Sequence, residues 1–389
     1  MSLDQSLIRQ EYGFLQDMTH VNVCSVGVPP LRTQRASANF MADSYLAFTY
    51  DSVNLGYSGM RQHVREQIAQ LIHADPREIA FTKSTSEGMS ILASGYPLKD
   101  EDNVVVCDLD NSAVLYPWIN ASRARSFQVK LVKTNGRGVQ TEDFIRAVDA
   151  HTKVIAVSAV LAGTGCRIDL EKLGTFCRER GILFAVDGIQ MLGRLDLNVQ
   201  SCYVDFLSCG GFKGLLSGFG IGFLWCRSDL IPKIHPPCAG SDCAEFDPTP
   251  PAVLKRVEDF QLREDALRFE VSTSNTQGIA MMEQSLGLIL ELGIQRIQQN
   301  VLSLEKLLRE LIADIPLDVL PVNEKPSGML VAYCDASRYE QTEEMLKKHN
   351  VHLTHRPGYL RLSIGIHNTD RDIQMIADAL HEIGSLQHR

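Results

Sequence analysis

The chain has 389 residues, of which 44% are hydrophobic and 22% are charged, with a formal net charge of −9. This length favours two domains, and the acidic balance argues against nucleic acid or an anionic membrane surface as the main partner. No apolar run approaches the ~20 residues that a membrane helix needs, and the first six residues lack the features of a signal peptide, so a cytoplasmic protein is expected.

An N-terminal segment over residues 1–20 precedes the first predicted domain. From about residue 78 to 227, short apolar runs rich in β-branched residues alternate with stretches of helical periodicity. Continuous apolar strands separated by helices are typical of a mainly parallel sheet that is covered on both faces. We therefore predict a large domain over residues 21–260, with strands near 104–107, 129–132, 154–157, 183–186, 206–208 and 222–225.

The pattern changes after a proline-rich stretch. Five prolines and a glycine within 236–252 predict a loop. Apolar residues from Ile294 to Ile315 recur at spacings of three and four, which predicts a long amphipathic helix. Short strand-like and helical stretches follow between 329 and 383, and they predict a smaller α+β domain that we bound at residues 261–389.

A cluster of hydroxyl residues lies between a predicted strand and a predicted helix, in FTKSTSEG at 81–88. Free N–H groups at a helix N-terminus, together with hydroxyl groups, form a favourable site for phosphate. Thr85 and Ser86 are the candidates. Considered alone, the motif is more often an ordinary serine or threonine N-cap.

Asp187 ends the apolar run at 183–186, and Lys213 follows 26 positions later among glycines, just past the next strand. An aspartate at the end of a buried strand is costly unless it meets a cation. A lysine in a dry pocket has a lowered pKa, as an amine that forms a Schiff base requires. Together they have the geometry to hold a pyridine cofactor by its ring nitrogen and its aldehyde carbon, which indicates a pyridoxal phosphate enzyme.

The contact between Asp187 and a pyridinium N–H is worth about 4 kcal/mol at an effective dielectric constant of ~20. That is enough to keep the ring nitrogen protonated at neutral pH. Gln190, three positions after Asp187, is a candidate donor to the phenolic oxygen of the cofactor. Taken alone, Lys213 has an alternative explanation as a surface lysine in a glycine-rich turn, and Gln190 as a surface amide.

These motifs resemble the class V aminotransferases, within the fold-type-I pyridoxal phosphate enzymes that include cysteine desulfurases, C–S lyases and isopenicillin N epimerase-like proteins. The likeness runs from about residue 21 to 361, and its most specific part is VDGIQ at 186–190, VDFL at 204–207 and GFK at 211–213. The resemblance implies a large α/β domain with a mainly parallel seven-stranded sheet, followed by a smaller α+β domain. It assigns the Schiff base to Lys213, the pyridine nitrogen to Asp187, the phenolic oxygen to Gln190, and the phosphate to Thr85 and Ser86.

Two further segments carry candidate residues by the same resemblance. RFEVSTSN at 268–275 is similar to the segment that crosses a dimer interface to the partner's phosphate. It implies a homodimer with shared active sites and makes Thr273 the candidate. YLRLS at 359–363 is similar to the site for the substrate carboxylate, with Arg361 as a bidentate clamp. A structural ion pair is the alternative for Arg361.

Three departures from the family pattern bear on function. Asn111 stands at the cofactor position where relatives usually have a ring-stacking histidine, and Gly210 and Phe212 replace a serine and a histidine before the lysine. Each lost hydrogen bond to a charged group costs roughly 1.5–3 kcal/mol. Residues 352–359 contain no cysteine, whereas a desulfurase needs one on a mobile loop there to take up sulfur. The ten cysteines form no C-x-x-C pair, so no metal site is predicted.

The expected protein is a homodimeric pyridoxal phosphate enzyme that acts on a small amino acid, with Lys213 removing the proton from the α-carbon. The absence of a desulfurase cysteine favours β-elimination by a C–S lyase-like enzyme. Transamination and epimerisation are the alternatives. The changes at Asn111, Gly210 and Phe212 motivate a hypothesis of another class, a protein that has lost catalysis and serves as a binding subunit.

Overall fold

The computed structural model describes residues 3–47, 57–245, 256–272 and 274–386. Thr273, the candidate for a partner's phosphate, lies outside the described residues. The helices are α1 (Gln5–Tyr12), α2 (Leu31–Ala47), α3 (Tyr57–Ile72), α4 (Thr85–Gly95), α5 (Ser112–Ala124), α6 (Thr141–Ala147), α7 (Leu170–Arg180), α8 (Thr276–Leu292), α9 (Ile294–Leu311), α10 (Tyr339–Lys348) and α11 (Asp370–Leu386). Over these same residues, no helix combines the length and the apolar character that crossing a bilayer requires.

The strands are β1 (Thr19–His20), β2 (Ile79–Thr82), β3 (Asn103–Cys107), β4 (Gln128–Val132), β5 (Thr152–Ser158), β6 (Leu183–Asp187), β7 (Phe206–Gly210), β8 (Gly222–Cys226), β9 (Asp318–Val319), β10 (Met329–Tyr333), β11 (Val351–His352), β12 (Thr354–Arg356) and β13 (Tyr359–Ser363). Seven of them form the large sheet, in the order β2-β8-β7-β6-β5-β3-β4. Strands β7, β6, β5, β3 and β4 are parallel, and β8 is antiparallel to both of its neighbours. The predicted fold class is confirmed.

Alternate residues of the large sheet pack into two apolar clusters, one on each face. Val104 and Val106 of β3 pack into the cluster that contains Trp118 of α5. Val105 and Cys107 of the same strand belong to the cluster on the other face. Because both faces are covered by helices, strands β3, β6, β7 and β8 are buried along their whole length.

The second sheet has four antiparallel strands, in the order β12-β13-β10-β9. Helix α11 packs against α9 and α10 beside it. Strand β1, near the start of the chain, pairs in parallel with β11. The domain limits at residues 20 and 260 stay a prediction.

The carboxyl ends of the parallel strands meet at one edge of the large sheet. Ser158, Asp187 and Gly210 are the last residues of β5, β6 and β7, and α4 begins at Thr85 just after β2. The crevice outside the carboxyl ends of parallel strands is where open α/β sheets bind ligands. This edge therefore positions the candidate site.

Candidate active site

Asp187 is a buried carboxyl group, and one of its two oxygens has no close hydrogen-bond partner among the described residues. One oxygen accepts a hydrogen bond from the backbone N–H of Ile189 at 2.9 Å. The other lies 3.5 Å from the Ser158 hydroxyl, beyond the usual distance for an O–H···O bond. Burial raises the pKa of Asp187 to about 7, and the charge of Lys213 opposes this shift. Such a group is suited to meet a cationic N–H of a ligand.

Lys213 lies in a segment that the N-terminal part of the chain crosses closely. The N–H of Gly27 donates to the Phe212 carbonyl at 2.9 Å, and a Cβ at Gly27 would lie 2.1 Å from the Lys213 carbonyl oxygen. Glycine alone permits this approach. Burial lowers the pKa of the Lys213 amine, the charge of Asp187 opposes this, and the charge of Arg361 adds to it. The charges of Asp187 and Arg361 therefore both act on Lys213.

The N-terminus of α4 packs against the strand that leads into Lys213. The Thr85 hydroxyl is buried and accepts a hydrogen bond from the N–H of Gly210 at 3.0 Å. Ser84, one residue earlier, serves as the N-cap, since its hydroxyl accepts from the N–H of Glu87 at 3.2 Å. Ser86 is exposed. Because Ser84 caps the helix, neither Thr85 nor Ser86 is needed for that purpose.

Gln190 connects the end of β6 to the N-terminal part of the chain. Its buried side-chain amide donates to the Cys24 carbonyl at 2.9 Å, and the N–H of Cys24 donates to the Ser363 hydroxyl at 2.5 Å. The segment around Cys24 thus bridges the large sheet and β13. A glutamine amide carries two N–H groups, so one stays available for a ligand.

Asn111 lies at the rim of the site, and the residue before it lies within. The exposed Asn111 caps α5 by accepting from the N–H of Ala113 at 2.9 Å. Asp110 is buried and accepts from the N–H and the hydroxyl of Ser158 at 2.8 and 2.5 Å. Burial raises the pKa of Asp110, and its charge contributes to the raised pKa of Asp187. Ser158 therefore lies between two buried carboxyl groups.

Arg361 is held by neutral oxygens. It donates to the Ala162 carbonyl at 2.6 Å, the Ser25 hydroxyl at 2.8 Å and the Thr354 hydroxyl at 3.1 Å. Its Nε is buried and has no hydrogen-bond partner among the described residues. Within the ranges that the structure describes, no carboxylate pairs with Arg361, so the structural ion pair that the sequence left open is not seen there. A guanidinium group with neutral partners keeps its charge for an anionic ligand.

The structure brings most of the predicted site residues to one edge. Thr85, Asp187, Gln190 and Lys213 lie at the carboxyl ends of the large sheet, Arg361 reaches them from β13, and Ser86 and Asn111 lie exposed at the rim. Sequence reasoning missed Ser25, Asp110, Ser158 and Thr354. Asp110 carried a signal, as a carboxylate just after a buried strand. The three hydroxyl residues carried none, because tertiary contacts alone bring them to the site.

The chain matches the family model described as Aminotransferase class-V over residues 57–376. A probable cysteine desulfurase of Methanothermobacter thermautotrophicus is 27% identical, over 97% of this chain and 98% of the relative. The apo structure of the cysteine desulfurase from Thermococcus onnurineus NA1 is similar with a TM-score of 0.85 at 20% identity, over 99% of both chains. The cystine C–S lyase C-DES, in complex with its reaction product cysteine persulfide, gives a TM-score of 0.85 at 17% identity, over 96% of this chain and 100% of C-DES.

Proposed function

Because this chain belongs to the class-V aminotransferase family, whose enzymes depend on pyridoxal phosphate, we propose that it is a C–S lyase that catalyses β-elimination from a small sulfur-containing amino acid. The family and the cofactor predicted from the sequence are confirmed. The relatives are named for reactions of cysteine or cystine, which supports a substrate with sulfur on its β-carbon.

The residues at the carboxyl edge of the large sheet fit this cofactor. The oxygen of Asp187 without a close partner suits the pyridine N–H, and the amine of Lys213, with its lowered pKa, suits the aldehyde carbon. The side-chain amide of Gln190 has a second N–H that bonds to none of the described residues, and this N–H suits the phenolic oxygen. The first turn of α4, with Thr85 and Ser86, suits the phosphate. When bound, the cofactor supplies a ring that withdraws negative charge from the α-carbon of the substrate.

Lys213 is the residue that removes the α-proton in this proposal. A general base works best when its pKa lies near the operating pH. Burial lowers the pKa of the Lys213 amine, so a larger fraction is neutral and able to accept a proton at Nζ. The negative charge of Asp187 would keep the ring nitrogen protonated, and a protonated nitrogen would favour the negative charge that develops as the proton leaves.

Arg361 orients the substrate by its α-carboxylate. Two of its nitrogens contact a carbonyl and two hydroxyl groups, which a carboxylate can replace as a stronger, charge-assisted acceptor. Fixing the carboxylate at Arg361 and the α-amine near Lys213 leaves the α-C–H bond little freedom to rotate, and such orientation is itself a large part of catalysis.

The observation that carries the choice of β-elimination is the hairpin that leads into Arg361. Strands β12 and β13 pair in register from Thr354↔Arg361 to Arg356↔Tyr359, so that Pro357 and Gly358 alone connect them. A two-residue hairpin turn is a tight connection, and this one contains no cysteine. It offers no mobile loop that could bring a thiol to the substrate. The departing sulfur therefore leaves with its own substituent.

A second candidate is a cysteine desulfurase that uses Cys24. The name of the archaeal relative favours it, and so does the position of Cys24 between Gln190 and Ser363. The thiol of Cys24 is close enough for its charge to influence the pKa of Lys213. A desulfurase of this kind would depend on that thiol.

The proposal extends to a cytoplasmic homodimer with shared active sites. A cavity of about 710 Å³ lies beside the first turn of α4, and it is lined by Lys83 and by Ser272 and Ser274, which flank Thr273. A second subunit that covers this cavity would complete the phosphate end of the site. Light scattering after size-exclusion chromatography tests this, with twice the 43.3 kDa mass of one chain expected.

The function is tested by incubating the purified protein with pyridoxal phosphate and a panel of L-amino acids, and by measuring pyruvate, ammonia and sulfide. We expect a yellow protein whose cofactor becomes fixed by borohydride, and pyruvate from amino acids with sulfur on the β-carbon. Lys213→Ala should abolish both results, whereas Lys233→Ala, at an exposed lysine, should leave both intact.

Other outcomes decide among the alternatives. Transfer of the amino group to a keto acid without pyruvate would establish an aminotransferase, and inversion at the α-carbon would establish an epimerase. Failure of the wild-type protein to bind the cofactor would leave a non-catalytic binding protein.

A further inference from the structure

Arg194 is a buried cation in the segment that follows Asp187 and Gln190. The residue is 1% exposed. Its four hydrogen bonds go to backbone carbonyls, and no carboxylate pairs with it among the residues that the structure describes. Burial lowers the pKa of Arg194 to about 10, so the guanidinium group stays charged at neutral pH. A buried charge without an ion-pair partner is costly, so its role lies in what it holds together.

The carbonyls that Arg194 contacts belong to two parts of the protein. Nη1 donates to the Gln190 carbonyl at 3.1 Å, four residues earlier in the chain. Nε donates to the Ile364 carbonyl at 2.8 Å, and Nη2 donates to the carbonyls of residues 327–328 at 3.2 and 2.7 Å. Ile364 directly follows β13, which carries Arg361, and residues 327–328 directly precede β10. One guanidinium group therefore joins the segment of Gln190 to the two central strands of the second sheet.

The backbone beside Arg194 packs directly on the residue after Lys213. A Cβ at Gly193 would lie 2.0 Å from the Gly214 carbonyl oxygen, and a Cβ at Gly214 would lie 2.2 Å from the Leu192 carbonyl oxygen. Two glycines that face each other permit this approach, which any side chain would prevent. The Cγ of Arg194 lies 3.2 Å from the same Cβ position at Gly214. The Arg194 side chain therefore extends from a point that is fixed relative to Lys213.

A carboxylate on α9 fixes the other end of these contacts. Glu305 is 2% exposed and accepts from the N–H groups of Ser327 at 3.1 Å and Gly328 at 2.7 Å, the two residues whose carbonyls accept from Arg194. A Cβ at Gly328 would lie 2.6 Å from Nη2, so glycine leaves the space that the guanidinium group occupies. Strand β10 pairs with β13 along its whole length. Ordering the chain that enters β10 therefore also places Arg361.

We propose that Arg194 is a positioning residue, which sets the distance between Lys213 and Arg361 by fastening the second sheet to the segment that carries Lys213. This inference rests on the proposed function, in which Arg361 binds the substrate carboxylate and Lys213 removes the α-proton. The hydrogen bonds of Arg194 go to neither of these side chains. It acts through the backbone on both sides, and it keeps the carboxylate site and the base at the one spacing that orients the α-C–H bond.

Arg194→Met tests the proposal in the cofactor-loaded protein, because it removes the four hydrogen bonds and keeps most of the side-chain volume. We expect KM for pyruvate formation from L-cysteine to rise about tenfold, since a small displacement caused far from the chemistry has a large effect. The bound cofactor should stay within about twofold of the wild-type content. Arg194→Lys keeps the charge and reaches some of the carbonyls, so its KM should be intermediate. It decides the question if Arg194→Met does not fold.

Binding of L-alanine gives a second measurement that does not depend on elimination, because L-alanine has no leaving group on its β-carbon. Its dissociation constant, measured from the change in cofactor absorbance, should rise by the same factor in Arg194→Met. Adding Arg194→Met to Arg361→Gln should raise this constant by less than about twofold over Arg361→Gln alone, because a residue that acts by placing Arg361 has no further effect once Arg361 is gone.

Arg309→Met is the matched control. Arg309 also donates to backbone carbonyls, those of Leu320 and Met329, and pairs with Glu305 at 3.0 Å, but these contacts do not reach the segment of Lys213. This variant should lower the Tm and leave KM within about twofold of the wild type. A merely structural role for Arg194 would give the same result as Arg309→Met.

The remaining outcomes separate this inference from the proposed function. An unchanged KM in Arg194→Met, an equal rise in Arg309→Met, or effects that multiply in the double variant would overturn the positioning role while the lyase function stands. Absence of pyruvate, with L-alanine binding that still weakens in Arg194→Met, would overturn the lyase function alone. Wild-type protein that neither forms pyruvate nor responds to L-alanine would overturn both.

Discussion

A half-buried aspartate at one edge of the large sheet and a buried aspartate at the other edge differ in their partners. At the amino edge, just before β7, Asp205 accepts from the N–H of Phe184 at 2.8 Å and pairs with Arg227 at 3.0 Å. At the carboxyl edge, Asp187 has no cationic group bonded to it among the described residues, and its side-chain hydrogen-bond contact there is the Ser158 hydroxyl at 3.5 Å. The first carboxylate is satisfied within the fold, and the second is not.

This difference distinguishes a carboxylate that stabilises the fold, Asp205, from one that is available to a ligand, Asp187. A buried charge without a partner destabilises a protein, so a fold that serves stability alone supplies one, as Arg227 does for Asp205. In the proposed function, Asp187 instead remains available for the cationic nitrogen of the cofactor. Arg361 is likewise a charged group without an oppositely charged partner, because its described partners are neutral oxygens.

The largest expected effect comes from exchanging these carboxylates for amides. Asp187→Asn would remove the proposed contact with the ring nitrogen, worth about 4 kcal/mol, which corresponds to an expected loss of about a thousandfold in kcat. Asp205→Asn, one strand away at the opposite edge, should change kcat by no more than a few fold. Pyruvate formation with the cofactor in excess measures both. Similar losses in the two variants would show that the edges do not differ.

Arg361→Gln is expected to have the next largest effect. Loss of a bidentate contact to the substrate carboxylate should raise KM about a hundredfold, since charge-assisted hydrogen bonds contribute roughly 1.5–3 kcal/mol each. The cofactor content, measured from absorbance after denaturation, should stay at the wild-type level. If cofactor and substrate affinity fell together, Arg361 would have a structural role instead.

Local patterns in the sequence predicted the strands and helices. They did not predict the contacts between residues that lie far apart along the chain. The apolar run at 183–186 became β6 (Leu183–Asp187), and the run at 222–225 lies within β8 (Gly222–Cys226). The amphipathic stripe predicted a helix as far as Ile315, but α9 ends at Leu311, because the chain turns there toward the short β9. Local periodicity does not detect where such a turn interrupts an apolar pattern.

Part of the candidate site could also be predicted from local patterns in the sequence. Asp187 and Lys213 follow strands of one sheet, so their convergence could be predicted from strand order. Ser25 lies 336 residues from Arg361 along the chain, and their hydrogen bond gives no local signal. The hydrogen bond between Arg361 and Thr354 likewise depends on a register between two strands, which alternation within either strand does not reveal.

The contrast between the edges also predicts how stability depends on pH without the cofactor. Burial raises the pKa of Asp187 to about 7 in the folded state, above about 3.9 in the unfolded chain. Below about pH 4 the buried group is protonated and its burial costs little. As the pH rises from 4 to 7, the free energy of unfolding falls by about 4 kcal/mol, because ionisation is easier in the unfolded chain. Asp187→Asn should therefore raise the Tm of the cofactor-free protein by several degrees at pH 8.

The same variant should differ little from wild type at pH 4, where the wild-type carboxyl group is protonated in the folded state and about half protonated in the unfolded chain. Differential scanning fluorimetry at both values of pH measures this difference. Adding pyridoxal phosphate at pH 8 should raise the Tm of the wild type more than that of Asp187→Asn, because the pyridinium then supplies the missing cation. A lower Tm for the variant at pH 8 would show that Asp187 stabilises the fold on its own.

The smallest expected effect concerns Cys24, and it distinguishes the two proposed reactions. The backbone N–H and carbonyl of Cys24 bridge Ser363 and Gln190, and substitution by serine keeps both contacts and nearly the same volume. A lyase that releases sulfur with its substituent does not use the thiol, so Cys24→Ser should keep kcat for pyruvate formation within about twofold. A desulfurase would instead form alanine and transfer sulfur to the thiol. Alanine as the product, lost on Cys24→Ser, would therefore replace the lyase with the desulfurase.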